Sequence, residues 1–250
     1  MPPAGLDQSV GLVVPAYEPD VPTLRRFVET LRDEVSPTAV RIELDAPDGL
    51  DLSFPTFDDV TVNAVNGRRG KGLAITQGFE ALDADVLAFA DADGSTPAYS
   101  VAAVVDAAAE TNGVAVGSRR HPNAHVQTHQ SVVRRTLGDA FAAMSRLLLP
   151  FGLYDYQCGA KALTSDAWRA VRPHLTEPGF AWDIELLTAA DALGYPIAEV
   201  PVTWIDDPAS TVDTVDAVRE LSRTVLRARR RHGSIGRGSD PSDRRPLVEY

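Results

Sequence analysis

The feature that most limits what this chain can fold into is a rhythm of short apolar runs and amphipathic stretches through its first half. Val10 to Val14 is an apolar run that stops at Pro15, and Val40 to Leu44, Val60 to Val65, Val86 to Ala90 and Val114 to Val116 follow it. Runs this short, rich in Val and bounded by Gly, Pro and Asp, read as buried strands. Between the first two, Asp20 is placed to cap a helix with Pro22 in its first turn and Leu24, Phe27, Val28 and Leu31 on one face. Gly72 to Leu82 reads as a second helix, and the Ala/Val-rich stretch opened by Thr96 and Pro97 and running to Glu110 as a third. Such a succession predicts a mixed, mostly parallel central sheet flanked by helices, an α/β fold, because parallel neighbours need a crossover between them. Ligands of such sheets bind beyond the carboxyl ends of the strands. The polar motifs lie there: Tyr17-Glu18 after the first strand, Asp45 after the second, Asp91-Ala92-Asp93 after the fourth and Ser118-Arg119 after the fifth.

The second half is less regular. Gln130 to Leu149 reads as a long helix with an apolar far end, Phe141 to Leu149. Gly159 to Leu163 reads as a strand, Asp183 to Leu193 as a helix stopped by Gly194, and Ile197 to Trp204 as a strand whose Pro201 marks an edge or a bulge. The organisation expected is one domain over 1–213, a basic amphipathic helix over 214–231, and a disordered tail over 232–250, where Gly, Ser, Asp, Arg and Pro dominate.

Composition narrows the functional classes. The net charge of −11, from 24 basic and 35 acidic residues, argues against general nucleic-acid binding. The charge is uneven: residues 219–250 hold nine Arg and four acids, a local +5 in an otherwise acidic chain. Only two residues are Lys, Lys71 and Lys161, and Asp outnumbers Glu 24 to 11. That bias fits a halophilic surface adapted to a high-salt cytosol; a GC-rich genome produces the same bias. The single cysteine, Cys158, excludes a disulfide framework and reads as a buried thiol. No run reaches the roughly 18 to 20 apolar residues of a membrane span, and the N-terminus lacks the features of a signal peptide. The expected location is cytoplasmic, with any membrane contact peripheral and on the inner face.

Several motifs could carry chemistry. Asp91 and Asp93, two residues apart at a strand end, can converge on one hard divalent cation, Mg²⁺ or Mn²⁺, whose shell phosphate oxygens and water complete; the same pair could be a solvated turn. Asn66-Gly67-Arg68-Arg69-Gly70-Lys71-Gly72 is a glycine-rich basic loop suited to phosphates, though without P-loop spacing. His121, His125 and His129 recur every four residues, but Pro122 and Asn123 favour a loop over a metal-binding helix.

Taken together these segments resemble family-2 glycosyltransferases of the GT-A, Rossmann-like fold, over residues 9–212. The carrying residues are Val13-Val14-Pro15-Ala16-Tyr17, Asp91-Ala92-Asp93-Gly94-Ser95-Thr96, Gly117-Ser118-Arg119, Asp155-x-Gln157-Cys158-Gly159-x-Lys161, Trp182-Asp183-Ile184-Glu185-Leu186-Leu187 and Pro196 to Val202. The Asp-x-Gln-Cys-Gly-x-Lys piece is similar to the branch that glycosylates polyprenyl or dolichyl phosphate, with dolichyl-phosphate β-glucosyltransferases nearest. The resemblance implies that Pro15, Tyr17, Glu18, Asp45, Arg69, Lys71 and Asp91 bind a nucleotide-sugar donor, and that Asp91 and Asp93 hold the metal. It implies that Arg119 with Arg134 or Arg135, Gln157 and Lys161 meet the acceptor phosphate, and that Asp93, Arg119 and Asp183 are catalytic, with Asp155 and Glu185 on segments lining the site. The activity implied is inverting transfer of a hexose, glucose from a UDP-sugar foremost, to dolichyl or polyprenyl phosphate, as in protein N-glycosylation. A GDP-mannose-dependent mannosyltransferase, or transfer to a sugar hydroxyl of a lipid-linked glycan with Asp183 or Glu185 as base, are the alternatives. The chain departs from the family pattern at Glu18-Pro19-Asp20, where Asn-Glu is usual after Pro-Ala-Tyr, and at Asp45, where a double Asp is usual.

Overall fold

The structure is a computed structural model that describes residues 8–47, 57–127, 132–205, 214–235 and 248–249. The first half alternates as the apolar runs require: β1 (Val10–Tyr17), α1 (Val21–Val35), β2 (Ala39–Asp45), β3 (Val60–Val65), α2 (Lys71–Glu80), β4 (Val86–Ala90), α3 (Ala98–Thr111) and β5 (Val114–Ser118). Then come β6 (His125–Val126), α4 (Val132–Leu148), β7 (Ala160–Thr164), α5 (Ser165–Val171), α6 (Trp182–Ala192), β8 (Ile197–Pro201), β9 (Thr203–Trp204), α7 (Thr214–Ile235) and β10 (Val248–Glu249). Eight strands form one sheet in the order β10-β8-β5-β7-β4-β1-β2-β3. Every pairing in it is parallel except the two made by β7.

Both faces of this sheet are covered, which is why its central strands are nearly continuous apolar runs. Successive residues of β1 feed two cores. Leu12 and Val14 pack with Leu24, Phe27 and Leu31 of α1, while Val13 packs on the opposite face with Phe79, Phe89, Trp168 and Trp182. The helix α1 starts where Asp20 accepts the Thr23 amide at 3.0 Å, the capping role its sequence position suggests.

The reversed strand decides where the second half delivers its polar residues. Because β7 runs antiparallel to β4, with Ala90 opposite Ala160, its beginning lies at the ends of its neighbours. The Asp91 amide donates to the Gly159 carbonyl at 2.8 Å. The segment 155–159 is thereby brought to the carboxyl edge.

Some expectations need correction. The strand read from Ile197 to Trp204 is two strands. The first, β8, ends at Pro201, whose nitrogen has no hydrogen to donate; β5 flanks it along its length, and β10 pairs with it only at Ala198 and Glu199. Thr203–Trp204 instead pair with His125–Val126 in a separate two-stranded sheet, so His125 lies on an exposed strand; His129 falls outside the described residues. The short helix α5, capped by Thr164, was not foreseen. The last helix continues to Ile235, four residues beyond its expected end, and Val248–Glu249 pair with β8; the rest of the expected tail lies outside the described residues.

Candidate active site

At the end of β4 the chain turns through Asp91-Ala92-Asp93-Gly94, with Gly94 at φ 69°. Asp93 closes the turn by accepting the Ser95 amide at 2.9 Å. Its carboxyl is pushed above the ordinary value by desolvation and by the neighbouring Asp91 carboxylate. Asp91 lies against Gly159: a Cβ on that glycine would come within 2.4 Å of Asp91 Oδ2 and 3.0 Å of its Cβ. Any side chain at 159 would therefore displace Asp91, so the bare glycine is what lets the carboxylate stand at the strand end.

The glycine-rich loop closes the other side of this corner. Asp45, buried at the end of β2, accepts the Arg69 amide and Arg69 Nε at 2.7 Å each and the Gly70 amide at 3.1 Å. Glu43, fully buried two residues earlier, pairs with Arg69 Nη1 at 2.7 Å, with Arg41, and with Asn63 Nδ2 at 2.7 Å. These two acids hold the loop in place. Gly70 (φ 93°) and Gly72 sit where no side chain fits: a Cβ would come 2.6 Å from the Pro178 carbonyl oxygen and 2.5 Å from Trp182 Cβ, respectively. The next residue, Lys71, reaches back across the corner, its Nζ 2.7 Å from Asp91 Oδ1 and 5.0 Å from the Phe89 ring centre. Tyr17, at the tip of β1, is exposed, with the Arg68 guanidinium 4.1 Å over its ring; Pro15 is within β1, and Glu18 adopts φ 45° after it.

Beneath the corner lies a buried ion pair. Lys161 Nζ is 2.7 Å from Asp183 Oδ1 and donates to the Cys158 carbonyl at 2.9 Å, and both side chains are almost wholly out of solvent. Cys158 is a free, buried thiol whose pKa burial raises. Glu185, also buried, accepts the amides of Thr176 and Glu177 at 2.6 and 2.7 Å and the Thr176 hydroxyl at 2.9 Å, and pairs with Arg231 of α7.

A second arginine–acid pair stands at the end of β5. Asp155, 1% exposed, receives Arg119 Nε at 2.6 Å and Nη2 at 3.0 Å, and Arg120 Nη1 lies at 3.5 Å. Burial opposes the charge on Asp155, but Arg119 and then Arg120 outweigh it and hold its pKa far below the carboxylate range. Buried Glu199 holds the same segment by accepting the Tyr154 and Asp155 amides at 2.8 Å. The Arg119 guanidinium also donates to the Gln157 carbonyl at 3.2 Å, whereas the Gln157 side chain turns to the Phe180 carbonyl at 3.3 Å.

The sequence-derived candidates thus divide. Asp45, Arg69, Lys71, Asp91, Asp93, Lys161 and Asp183 are linked through one corner, and Arg119 with Asp155 form a neighbouring pair. Arg134 and Arg135 lie in the first turn of α4, and their side chains fall outside the described residues. Glu43 and Glu199 were missed. The signal for Glu43 was available: Arg41, Glu43 and Asp45 alternate along one strand, so they share a face. A cavity of about 380 Å³ lies under α7, lined by Glu177, Glu185, Arg227 and Arg231 among others; none of the corner residues lines it.

Among the described residues no group of three or more His, Cys, Asp or Glu could hold a metal ion. Asp91 and Asp93 nonetheless fit a Mg²⁺ or Mn²⁺ ion bound together with phosphate. They are hard oxygen donors on one turn, close enough that the Asp91 carboxylate adds to the desolvation that raises the pKa of Asp93, and the missing side chain at Gly159 keeps the cradle open.

Residues 12–162 match the model of the family described as glycosyl transferase family 2. The chain is 30% identical over 236 residues to the glycosyltransferase AglD of Haloferax volcanii, which covers 90% of this chain and 37% of that protein. It is 31% identical over 169 residues to a dolichyl-phosphate β-glucosyltransferase of Dictyostelium discoideum, covering 66% of this chain and 52% of that one. The chain therefore spans between a third and just over half of these relatives. Among solved structures, glucosyl-3-phosphoglycerate synthase of Mycobacterium tuberculosis, crystallised with Mn²⁺, uridine diphosphate and phosphoglyceric acid, superposes with a TM-score of 0.62 at 18% identity, over 89% of this chain and 79% of that one.

Proposed function

Because the chain belongs to glycosyl transferase family 2, we propose that it moves a hexose from a nucleoside diphosphate sugar onto dolichyl or polyprenyl phosphate, with inversion at the sugar carbon. The observation that carries this reading is the contact between Asp91 and Gly159. It locks the Asp-x-Asp turn, suited to a donor diphosphate, onto the Asp155–Lys161 segment that resembles the lipid-phosphate branch. The name of the relative in Dictyostelium discoideum, a dolichyl-phosphate β-glucosyltransferase, supports glucose as the sugar. UDP-glucose is accordingly the favoured donor.

A divalent ion held by Asp91 and Asp93 would supply Lewis-acid compensation for the charge of the departing diphosphate. The protein's own groups do the rest. Asp45 and Glu43 fix the loop that carries Lys71 to the corner, and exposed Tyr17 offers a ring to the nucleobase. Asp155 orients the Arg119 guanidinium for an acceptor phosphate, with Arg134 and Arg135 as further candidates. A phosphate monoester, whose second ionisation lies near 6, is already an anion at neutral pH and needs positioning rather than a base. This is where the sugar-hydroxyl alternative is weaker. Its two candidate bases are buried and engaged, Asp183 with Lys161 and Glu185 with Thr176, Glu177 and Arg231, so neither is poised to take a proton.

The test is nucleotide release from UDP-glucose, UDP-galactose and GDP-mannose, each with and without dolichyl phosphate, in Mn²⁺. The expected result is release from a UDP-hexose that depends on the lipid. Release that dolichyl phosphate does not stimulate, but that an added sugar acceptor does, would overturn the reading.

A further inference from the structure

Among the described residues Lys71 is the ammonium that pairs with the Asp-x-Asp turn, and its position is that of a cation already in place. Its Nζ stands 2.7 Å from Asp91 Oδ1 and over the Phe89 ring. The chain's other lysine is committed elsewhere, to Asp183 and the Cys158 carbonyl. Asp91, Asp93 and Asp183 thus meet two ammonium groups, which leaves the corner with a single negative charge. A divalent ion entering alone would turn that to a net positive charge in a partly desolvated corner. Entering with a diphosphate, it would not, because the anion offsets both the ion and the ammonium.

We propose that Lys71 is the resident counter-ion of the Asp91–Asp93 turn, and that it makes divalent-ion binding conditional on the donor diphosphate. In the free protein the ammonium holds Asp91 and keeps the turn from collapsing under the repulsion of its two carboxylates. When donor and metal arrive together, Lys71 leaves Asp91 for the diphosphate oxygens, a short movement for a flexible side chain. A lysine is an ammonium at neutral pH, and the contact with the Asp91 carboxylate favours that charged form. The geometry of the loop serves the same end. Asp45 and Glu43 clamp Arg69, and Gly70 and Gly72 bring the backbone on either side of Lys71 against Pro178 and Trp182, so the lysine is delivered from a rigid base. The inference deepens the donor-site reading and rests on its metal assignment.

The experiment measures Mn²⁺ binding by electron paramagnetic resonance, with the full chain, alone and in the presence of UDP or GDP. For the wild-type chain, Mn²⁺ alone should bind weakly and a nucleoside diphosphate should tighten it strongly. Lys71→Met should raise affinity for Mn²⁺ alone by about tenfold or more, the direction expected on removing a unit positive charge beside the ligand, and should shrink the tightening by nucleotide. Lys71→Gln should behave like Lys71→Met, and Lys71→Arg, which keeps the charge, like wild type; these two decide the matter if Lys71→Met does not fold. If nucleotide promotes Mn²⁺ binding in wild type but the uncharged variants bind Mn²⁺ alone no better, the inference fails and the donor-site reading stands. If neither nucleotide promotes Mn²⁺ binding in any of the folded proteins, both fail.

Discussion

At Asp93 stability and function pull in opposite directions. Desolvation and the Asp91 carboxylate raise its pKa, so ionisation there works against the folded state at any pH above that raised value. Asp93→Asn removes this strain and also removes a metal ligand. The metal-free variant should melt at a higher temperature than wild type at pH 7, while turnover with donor and lipid phosphate falls by about a hundredfold or more. A lower melting temperature would mean that the charge of Asp93, favoured by the Ser95 hydrogen bond and by Lys71, supports the turn more than burial opposes it. Asp155 shows the opposite sign. Its pKa is lowered, so its pairing with Arg119 stabilises the fold fully above the ordinary carboxylate value of 3.8 and less as pH drops below it. Asp155→Asn, which leaves Arg119 without its counter-charge, should cost about 3 kcal/mol near neutral pH. The gap from wild type in urea unfolding should narrow below about pH 4; a gap that is constant with pH would remove the ion pair from the explanation. Such pairs were only half legible beforehand. The sequence marks Asp155 and Arg119 as polar residues near strand ends, but nothing local says that they meet across 36 residues.

Among the elements, the reversed strand β7 matters most for the site. Its direction sets Gly159 beside Asp91, and that junction is testable by one methyl group. Gly159→Ala should shift the Asp91 carboxylate, whose Oδ2, Cγ and Cβ all lie within 3.0 Å of the new carbon. Activity should then fall by about a hundredfold while unfolding free energy changes by about 2 kcal/mol or less. An active Gly159→Ala enzyme would show that Asp91 has room to move. The parallel strands and their helices were readable because each has a pattern of its own, an apolar run or a one-sided face. The direction of β7, the end of β8 at Pro201 and the pairing of His125–Val126 with Thr203–Trp204 were not, because they follow from which strands become neighbours, a tertiary choice that leaves no local period. The helix α7 illustrates the same limit. Val225 and Ala228 are buried, and Arg227, Arg231 and His232 tie to Glu177, Glu185 and Asp191, so one side is fastened to the domain. Arg229 and Arg230 remain exposed.

For the molecule as a whole, this fastening narrows the ways it could meet a bilayer. No helix among the described residues is long and apolar enough to cross a membrane. Contact through the basic side of α7 is proposed, worth roughly 1 kcal/mol per arginine near an anionic surface. Arg229→Glu with Arg230→Glu should lower co-sedimentation with phosphatidylserine vesicles severalfold at low salt, without altering nucleotide binding; unchanged co-sedimentation would leave α7 only its packing role. The overall net charge of −11 opposes such contact, which makes the location of the local positive charge decisive. The central claim, however, concerns chemistry. It is tested most directly by identifying the product formed from UDP-glucose, Mn²⁺ and dolichyl phosphate by mass spectrometry, with Asp91→Asn beside the wild-type chain. The account predicts a dolichyl phosphate heavier by one hexose with wild type and at most a trace with Asp91→Asn. Free glucose and UDP with unmodified dolichyl phosphate, from wild-type protein that binds donor, would contradict it.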